Sequence, residues 1–439
     1  MNNYELILQE NGLYENRVKT REYIFFILIL LLYISYETWF LHGNNLSAII
    51  TIIRLGVPVV LLSLYSLYKP RGIAASIITI YFLFILNMWI LSAIFTVNIE
   101  STIGMGSRYT ILIVTFFILV SIFCSKNFSL IFLTTPIYII SIIILFAMID
   151  FGHNRWGFPI SLGGYLDYAP HDRLSAIFKE PSLLAACMEY SIFMTYGLFR
   201  LRKSKLFFII FILLIISFYF TQSIAGFISI AGTILIFYLA RWLIINKNPN
   251  SISFSIYLSI FTIIGSTILL SLIVYIINLV ELQYFIEQGA SSGSIIPSRS
   301  PVEQTARIGD FSFMYQQFMN HPFGVGIVFE NDSPVFGQKG QGNITVIPIY
   351  YWLMTTGLTG LLLIFLGFFK IFKHICIPSF FGNRSLLRYA ALSYICIHIH
   401  HLSYGRWLTF NVFYILAICL ALYRFKEISD NKKISLIAN

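Results

Sequence analysis

Twelve uninterrupted apolar runs, each near the length that crosses a bilayer, constrain this chain more than anything else in it. They fall at roughly 23–41, 47–68, 73–96, 108–125, 128–149, 182–199, 206–221, 224–245, 254–279, 344–369, 387–403 and 408–424. A hydrocarbon core about 30 Å thick needs ~20 apolar residues at helical rise. Inside it every backbone N–H and C=O must find its partner within the segment, so such a run is a helix. A closed barrel would also satisfy the backbone, but it needs ten-residue stretches of alternating polarity, which these runs are not. At 58% hydrophobic residues and mean hydropathy +0.80, the 439 residues carry more apolar surface than a soluble fold can hide. The sequence therefore predicts an all-α polytopic membrane protein, one integral membrane domain over 1–439 with about 12 transmembrane helices. The first run ends in ETWFLHGNN with no small-residue cleavage pattern, and reads as a retained span rather than a secretory signal.

Charge orients the bundle. A net charge of +10 suggests nucleic acid until its distribution is followed. The basic residues come in short clusters at alternate ends of the runs: Arg17/Lys19/Arg21, Lys69/Arg71, Arg200/Arg202/Lys203/Lys205, Lys370/Lys373, Arg384/Arg388 and Lys432/Lys433. Of the 29 lysines and arginines, 20 lie in segments on the side of the termini, 8 lie opposite, and Arg54 is within a span. By the positive-inside rule both termini are cytoplasmic and no nucleic-acid partner is expected. The five cysteines (Cys124, Cys187, Cys376, Cys396, Cys419) avoid the long outward segments, which argues against a disulfide or a cysteine-based metal site.

Two outward loops are long, about 150–181 and about 280–343. Long loops in an otherwise tightly connected fold are usually functional. The first contains PHDRLSAIFKEPS, which packs Asp172, Arg173, Lys179 and Glu180 beside a membrane span. The second opens with a turn-rich tether, Gly289–Ser300, that carries Arg299. Ser300-Pro301-Val302-Glu303 then combines a capping box with proline at the first helical position, a helix-start signal. Ile308, Phe311, Met314, Tyr315 and Phe318 recur at helical spacing, and Asn320-His321-Pro322-Phe323-Gly324 stops the pattern. An amphipathic helix over about 301–320 is expected against the membrane surface or the spans. At about 100° per residue Arg307 falls within its apolar stripe, where a guanidinium needs an anionic partner.

Ionisable groups also fall inside the spans. Each costs ~2.5–3.5 kcal/mol facing lipid at the bilayer centre, so each should face the bundle interior. Arg54 and Glu37 are expected to pair and hold two helices together. Glu189, nine residues beyond Glu180, either lines the floor of a cavity or is a hydrogen-bonded core carboxyl. His398, His400 and His401 close the eleventh span and are followed by Arg406. His398 and His401 share a helix face but have no acidic or cysteine neighbour in sequence, so they read as polar lining rather than a metal site.

The loop patterns resemble those of Wzy-type O-antigen and capsular polysaccharide polymerases. Arg173-x4-Phe178-x-Glu180-Pro181-x3-Ala185 is similar to that family's R-x-x-G-x-F-x-E-P-x-x-x-A stretch, with Ala176 where a glycine is common. Arg307…His321-Pro322-Phe323-Gly324-Val325-Gly326…Asn343…Gly357-x-x-Gly360 resembles its second-loop pattern of an arginine, P-x-G-x-G, an asparagine and a G-x-x-G span. Gln222-Ser223-x-x-Gly226 sits where the family often has a Ser/Gly hairpin. The match covers roughly 170–365.

The resemblance implies a GT-C-like, inverting, membrane-embedded glycosyltransferase in the bacterial cytoplasmic membrane with a periplasmic active face. Its substrates would be undecaprenyl-diphosphate-linked glycans, with no cofactor or metal; membrane lipids surround it, and a chain-length regulator is a conceivable partner. The chemistry of the residues agrees. Arg173 and Arg307, from different loops, suit a diphosphate and the charge that develops on it as it leaves. Glu180 suits deprotonation of the attacking hydroxyl, since the proline after it holds it off the regular helix. Asp172, Lys179, Glu189, Arg299, His321, Asn343 and Arg406 are the candidates for substrate contacts. Two other activities share this topology. An O-antigen ligase typically has histidine just before the second-loop asparagine, where this chain has Gly342. A lipid-linked oligosaccharide flippase should scatter charge through many helices, whereas here the outward charge is concentrated in two loops.

Overall fold

The computed structural model of the chain describes residues 20–37, 47–65, 68–95, 99–125, 128–156, 174, 176, 178, 181–245, 319, 321–326, 348–381, 386–403 and 409–437. Among them the regular structure is helical throughout. The helices are α1 (Thr20–Glu37), α2 (Ser47–Leu64), α3 (Gly72–Phe95), α4 (Ile99–Phe123), α5 (Leu130–Trp156), α6 (Pro181–Arg202), α7 (Lys205–Thr221) and α8 (Ile224–Ile245). After the next described break come α9 (Pro348–Ile371), a π turn at Phe372–Cys376 leading into α10 (Ile377–Phe381), α11 (Leu386–Ser403) and α12 (Phe410–Ile437). Among the described residues six stretches are long and apolar enough to cross a membrane, the mark of a polytopic membrane protein: Gly72–Ile94, Thr102–Phe123, Leu130–His153, Pro181–Arg202, Ile224–Arg241 and Thr355–Phe380. The run at 254–279 and the amphipathic helix at 301–320, apart from helical Met319, lie outside the described residues.

Hydropathy marks the length a helix spends in lipid, and hydrogen bonding can continue past it. Accordingly α4 begins at Ile99 and α5 runs on to Trp156, each about two turns beyond its apolar run. The close pair at 206–221 and 224–245 is two helices, divided where Gln222 turns left-handed (φ 48°).

α12 is the axis of the bundle. Nearly every residue from Phe410 to Leu422 is buried, as expected of a helix apolar all round. Polar side chains tie it to its neighbours, in one case by satisfying a backbone carbonyl that would otherwise be orphaned in a dry interior. Asn411 accepts the Tyr33 hydroxyl of α1 at 2.5 Å and donates to the Ala186 carbonyl of α6 at 3.2 Å. Pro136 interrupts α5 and has no N–H for the carbonyl four residues earlier. That carbonyl, Phe132 O, instead accepts the Tyr414 hydroxyl at 2.7 Å, and the next one, Leu133 O, accepts Tyr190 at 2.9 Å.

Helix ends gather at two opposite faces. At one, Tyr65 reaches the Arg21 carbonyl, Ser129 donates to Glu22, and Arg424 lies over the Tyr68 ring. At the other, Arg54 and Arg108 donate to the last carbonyls of α1, Ser35 O and Tyr36 O, where cations favour a helix C-terminus. Arg54 also lies over the Tyr36 ring, 4.7 Å away, and the Glu37 side chain expected to pair with it is outside the described residues.

Candidate functional site

The second face carries the chain segments in which the sequence motifs fall. Leu174, Ala176 and Phe178, from the first loop, are fully buried. The Leu174 N–H bonds to the Phe220 carbonyl at the end of α7, at 2.9 Å. Ser182, in the first turn of α6, has its hydroxyl 3.1 Å from that of Ser223. Ser223 also caps α8 by accepting the Gly226 N–H at 3.2 Å. Gly226 permits a close approach here, because a Cβ on it would press on Phe218 and Ala185. Leu174 is therefore fastened to the α7 end of the α7–α8 hairpin. Ala176 has φ 52°, in the left-handed region that glycine enters most easily. This is the motif position where the chain departs from the resembling family's glycine.

The second motif forms a lock with α9. Expected as one straight span, α9 is broken at Gly357, whose φ of 63° and ψ of −168° lie in a region essentially reserved for glycine. Residues His321–Gly326 fill the break. Leu358 N–H bonds to the Pro322 carbonyl at 3.1 Å, and Gly326 N–H bonds to the Thr355 carbonyl at 2.9 Å. Gly324 and Gly326 are left-handed too, with φ of 85° and 81°. A Cβ at Gly324 would strike the Gly357 amide, one at Gly326 the Ser92 backbone, and one at Gly357 the Phe323 carbonyl. Asn87 of α3 completes the lock, donating to the Thr356 carbonyl at 2.9 Å and accepting from Thr359 at 3.2 Å. His321, a candidate substrate contact, is half-buried, and its carbonyl closes a turn with Gly324 N–H at 2.9 Å.

Beneath the first loop lies a polar cluster inside the bundle. Glu189 is fully buried about 12 Å along α6 from Pro181. Its Oε1 accepts the Ser229 hydroxyl of α8 at 2.5 Å and meets His400 Nδ1 of α11 at 2.6 Å. Ser229 also contacts the Gly226 carbonyl at 2.7 Å, and the Cys396 thiol borders the same group. Of the two roles open to Glu189, the structure gives the core carboxyl, hydrogen-bonded between three helices. The histidines do not line an open space either. His400 and His401 are buried, and His398 packs on the Tyr394 and Phe368 rings, 4.1 and 5.2 Å away, with Nδ1 2.9 Å from the Tyr394 carbonyl. No group of three potential metal ligands forms among the described residues.

These contacts also set relative heights. Glu189 is eight residues into α6 but meets a histidine three residues before the end of α11; Ala186 is five residues into α6 but meets the second residue of α12. At 1.5 Å per residue, His400 and Asn411 thus stand level with points about 12 Å and about 8 Å along α6 from Pro181.

Sequence reasoning missed His400 as the partner of Glu189, and it missed Asn87, Ser182 and Ser229. The signal for His400 was Glu189 itself, since a mid-span carboxyl requires a polar partner, but only packing says which histidine provides it. Asp172, Arg173, Lys179, Glu180, Arg299, Arg307, Asn343 and Arg406 lie outside the described residues. No known protein family, no curated protein and no solved structure matches the chain.

Proposed function

We propose that this chain is a polysaccharide polymerase, a membrane-embedded glycosyltransferase that joins polyprenyl-diphosphate-linked oligosaccharide units at the outer face of the bacterial cytoplasmic membrane. The observation that carries the reading is the glycine lock. The P-x-G-x-G and G-x-x-G elements of the resembling family stand 31 residues apart in sequence at Gly326 and Gly357, yet they interlock backbone to backbone, with left-handed φ at Gly324, Gly326 and Gly357. A chance match of scattered glycines has no reason to coincide with mutually packed positions that demand them. The first-loop match gains similar support, because the one substituted glycine position, Ala176, has left-handed φ.

In this reading the chain has twelve spans and cytoplasmic termini, and both long loops are periplasmic. Arg173 and Arg307 hold the donor diphosphate. The acceptor sugar hydroxyl attacks the anomeric carbon from the face opposite the diphosphate, and Glu180 takes the hydroxyl proton. The bond from the anomeric carbon to the diphosphate oxygen breaks as the new glycosidic bond forms. The polyprenyl diphosphate leaves with its charge balanced by the two guanidiniums. Replacing either arginine by alanine should leave cells with single capped repeat units and no long chains. Normal chain-length ladders in both variants would refute the assignment, and finished polymer stranded on the polyprenyl carrier would point to a ligase.

A further inference from the structure

Glu189 is too deep to meet the acceptor in the reaction above, yet it belongs to a continuous polar thread that ends at the first-loop motif. From the inside outward, His400 meets Glu189 at 2.6 Å, and Ser229 donates to Glu189 at 2.5 Å and reaches Gly226 O at 2.7 Å. Gly226 N–H then bonds to Ser223 at 3.2 Å, and Ser223 meets Ser182 at 3.1 Å. Ser182 is two residues from Glu180, and the Leu174 N–H is held by Phe220, three residues before Ser223. The thread fastens α8 to α6 twice, once deep and once at the mouth, with α11 bracing the deep point. A slide of α8 along α6 would break both fastenings together.

We infer that Glu189, Ser229 and His400 are positioning residues for the polymerase site, fixing the register of α8 against α6 and so the Ser182–Ser223 contact at its mouth, two residues along the chain from Glu180. This rests on the function proposed above. Glu189 is suited to the task because one carboxylate oxygen can serve a hydroxyl and an imidazole at once, and a buried acid left without either is strongly disfavoured. The geometry asks for hydrogen bonding rather than charge. Glu189→Gln keeps an oxygen at the Oε1 position that can accept both the Ser229 hydroxyl and an Nδ1–H of His400.

The test uses the full-length protein and two readouts. Ser182→Cys together with Ser223→Cys reports the mouth directly, since the native hydroxyls are 3.1 Å apart and the five native cysteines are buried. In the otherwise native protein this pair should oxidise to a disulfide rapidly. Adding Ser229→Ala should slow cross-linking about tenfold, the shift expected for the loss of a buried hydrogen bond. In protein with native Ser182 and Ser223, Ser229→Ala should lower kcat for polymerisation by about 10–100-fold with KM for the lipid-linked donor little changed, as a misplaced catalytic group does. Glu189→Ala should lose more, and Glu189→Gln should recover most of that loss. Ser229→Ala removes a single small hydroxyl, so the test stands even if Glu189→Ala fails to fold. Unchanged cross-linking in well-folded Ser229→Ala would overturn the inference, and so would a rise in KM alone. If cross-linking slows but the native protein makes no polymer from any lipid-linked unit, the helix register stands and the polymerase reading falls.

Discussion

Gly357→Ala tests the lock between the second motif and α9 with one methyl group. At φ 63° and ψ −168°, an alanine is held where only glycine rests comfortably, at a cost of about 1–3 kcal/mol. The new Cβ would also run into the Phe323 carbonyl, a backbone group that can move only by shifting the whole 321–326 segment. That shift breaks the Leu358–Pro322 and Gly326–Thr355 hydrogen bonds, of 3.1 and 2.9 Å, each contributing about 0.5–1.5 kcal/mol net. Together the destabilisation is about 2–6 kcal/mol, a large part of the ~5–15 kcal/mol that typically holds a domain folded. The control is Gly56→Ala in α2, where the new methyl meets nothing within 4 Å. Alanine also favours a helix interior by about 1 kcal/mol over glycine, so the control should be neutral or slightly stabilised. Thermal unfolding of both variants in detergent, followed by intrinsic fluorescence, makes the comparison. Gly357→Ala should melt well below the native protein and Gly56→Ala at or above it. Equal melting of the two variants would refute the claim that the segment is wedged into the break.

Other consequences follow from the same contacts. Ala176→Gly should raise stability by about 0.5–1 kcal/mol, because the left-handed cost of about 1–2 kcal/mol exceeds the extra flexibility glycine brings; a lower melting temperature would mean that the buried methyl of Ala176 matters more than its backbone. Tyr414→Phe should cost about 1–3 kcal/mol by orphaning the Phe132 carbonyl opposite Pro136, and adding Pro136→Ala should recover much of that loss by restoring an N–H donor within α5; identical losses with and without the proline would disprove the link. Asn87→Leu should destabilise the break in α9 by removing the donor to Thr356 O, and its effect should largely disappear in a Gly357→Ala background.

The fold was legible in the sequence because a bilayer turns length and apolarity into helices almost by rule. All eleven apolar runs within the described residues fall on helices, and the most misjudged boundaries are those where helices continue past the lipid-facing stretch, at Ile99, Trp156 and Ile437. What hydropathy could not reveal was the break at Gly357, since Thr356-Gly357-Leu358 is as apolar as its surroundings and the cause of the break lies 31 residues away in the 321–326 segment. The glycine pattern was readable as a pattern, but its reason, three left-handed backbones packed together, was not. The ionisable residues divide similarly. Glu189 stood out as needing a partner, but the choice of His400 over His398 or His401 depends on how α6 meets α11, which no local spacing encodes. The Glu37 side chain expected beside Arg54 lies outside the described residues, while the carbonyls of Ser35 and Tyr36 just before it accept from Arg54 and Arg108.

The proposed activity is tested most directly by purified protein in detergent supplied with undecaprenyl-diphosphate-linked repeat units and no other enzyme. The account predicts stepwise lengthening of the lipid-linked glycan, one polyprenyl diphosphate released per linkage formed, and neither product with Arg173→Ala or Arg307→Ala. Lipid-linked units left unjoined by the folded native protein, or joined equally well by both arginine variants, would contradict it.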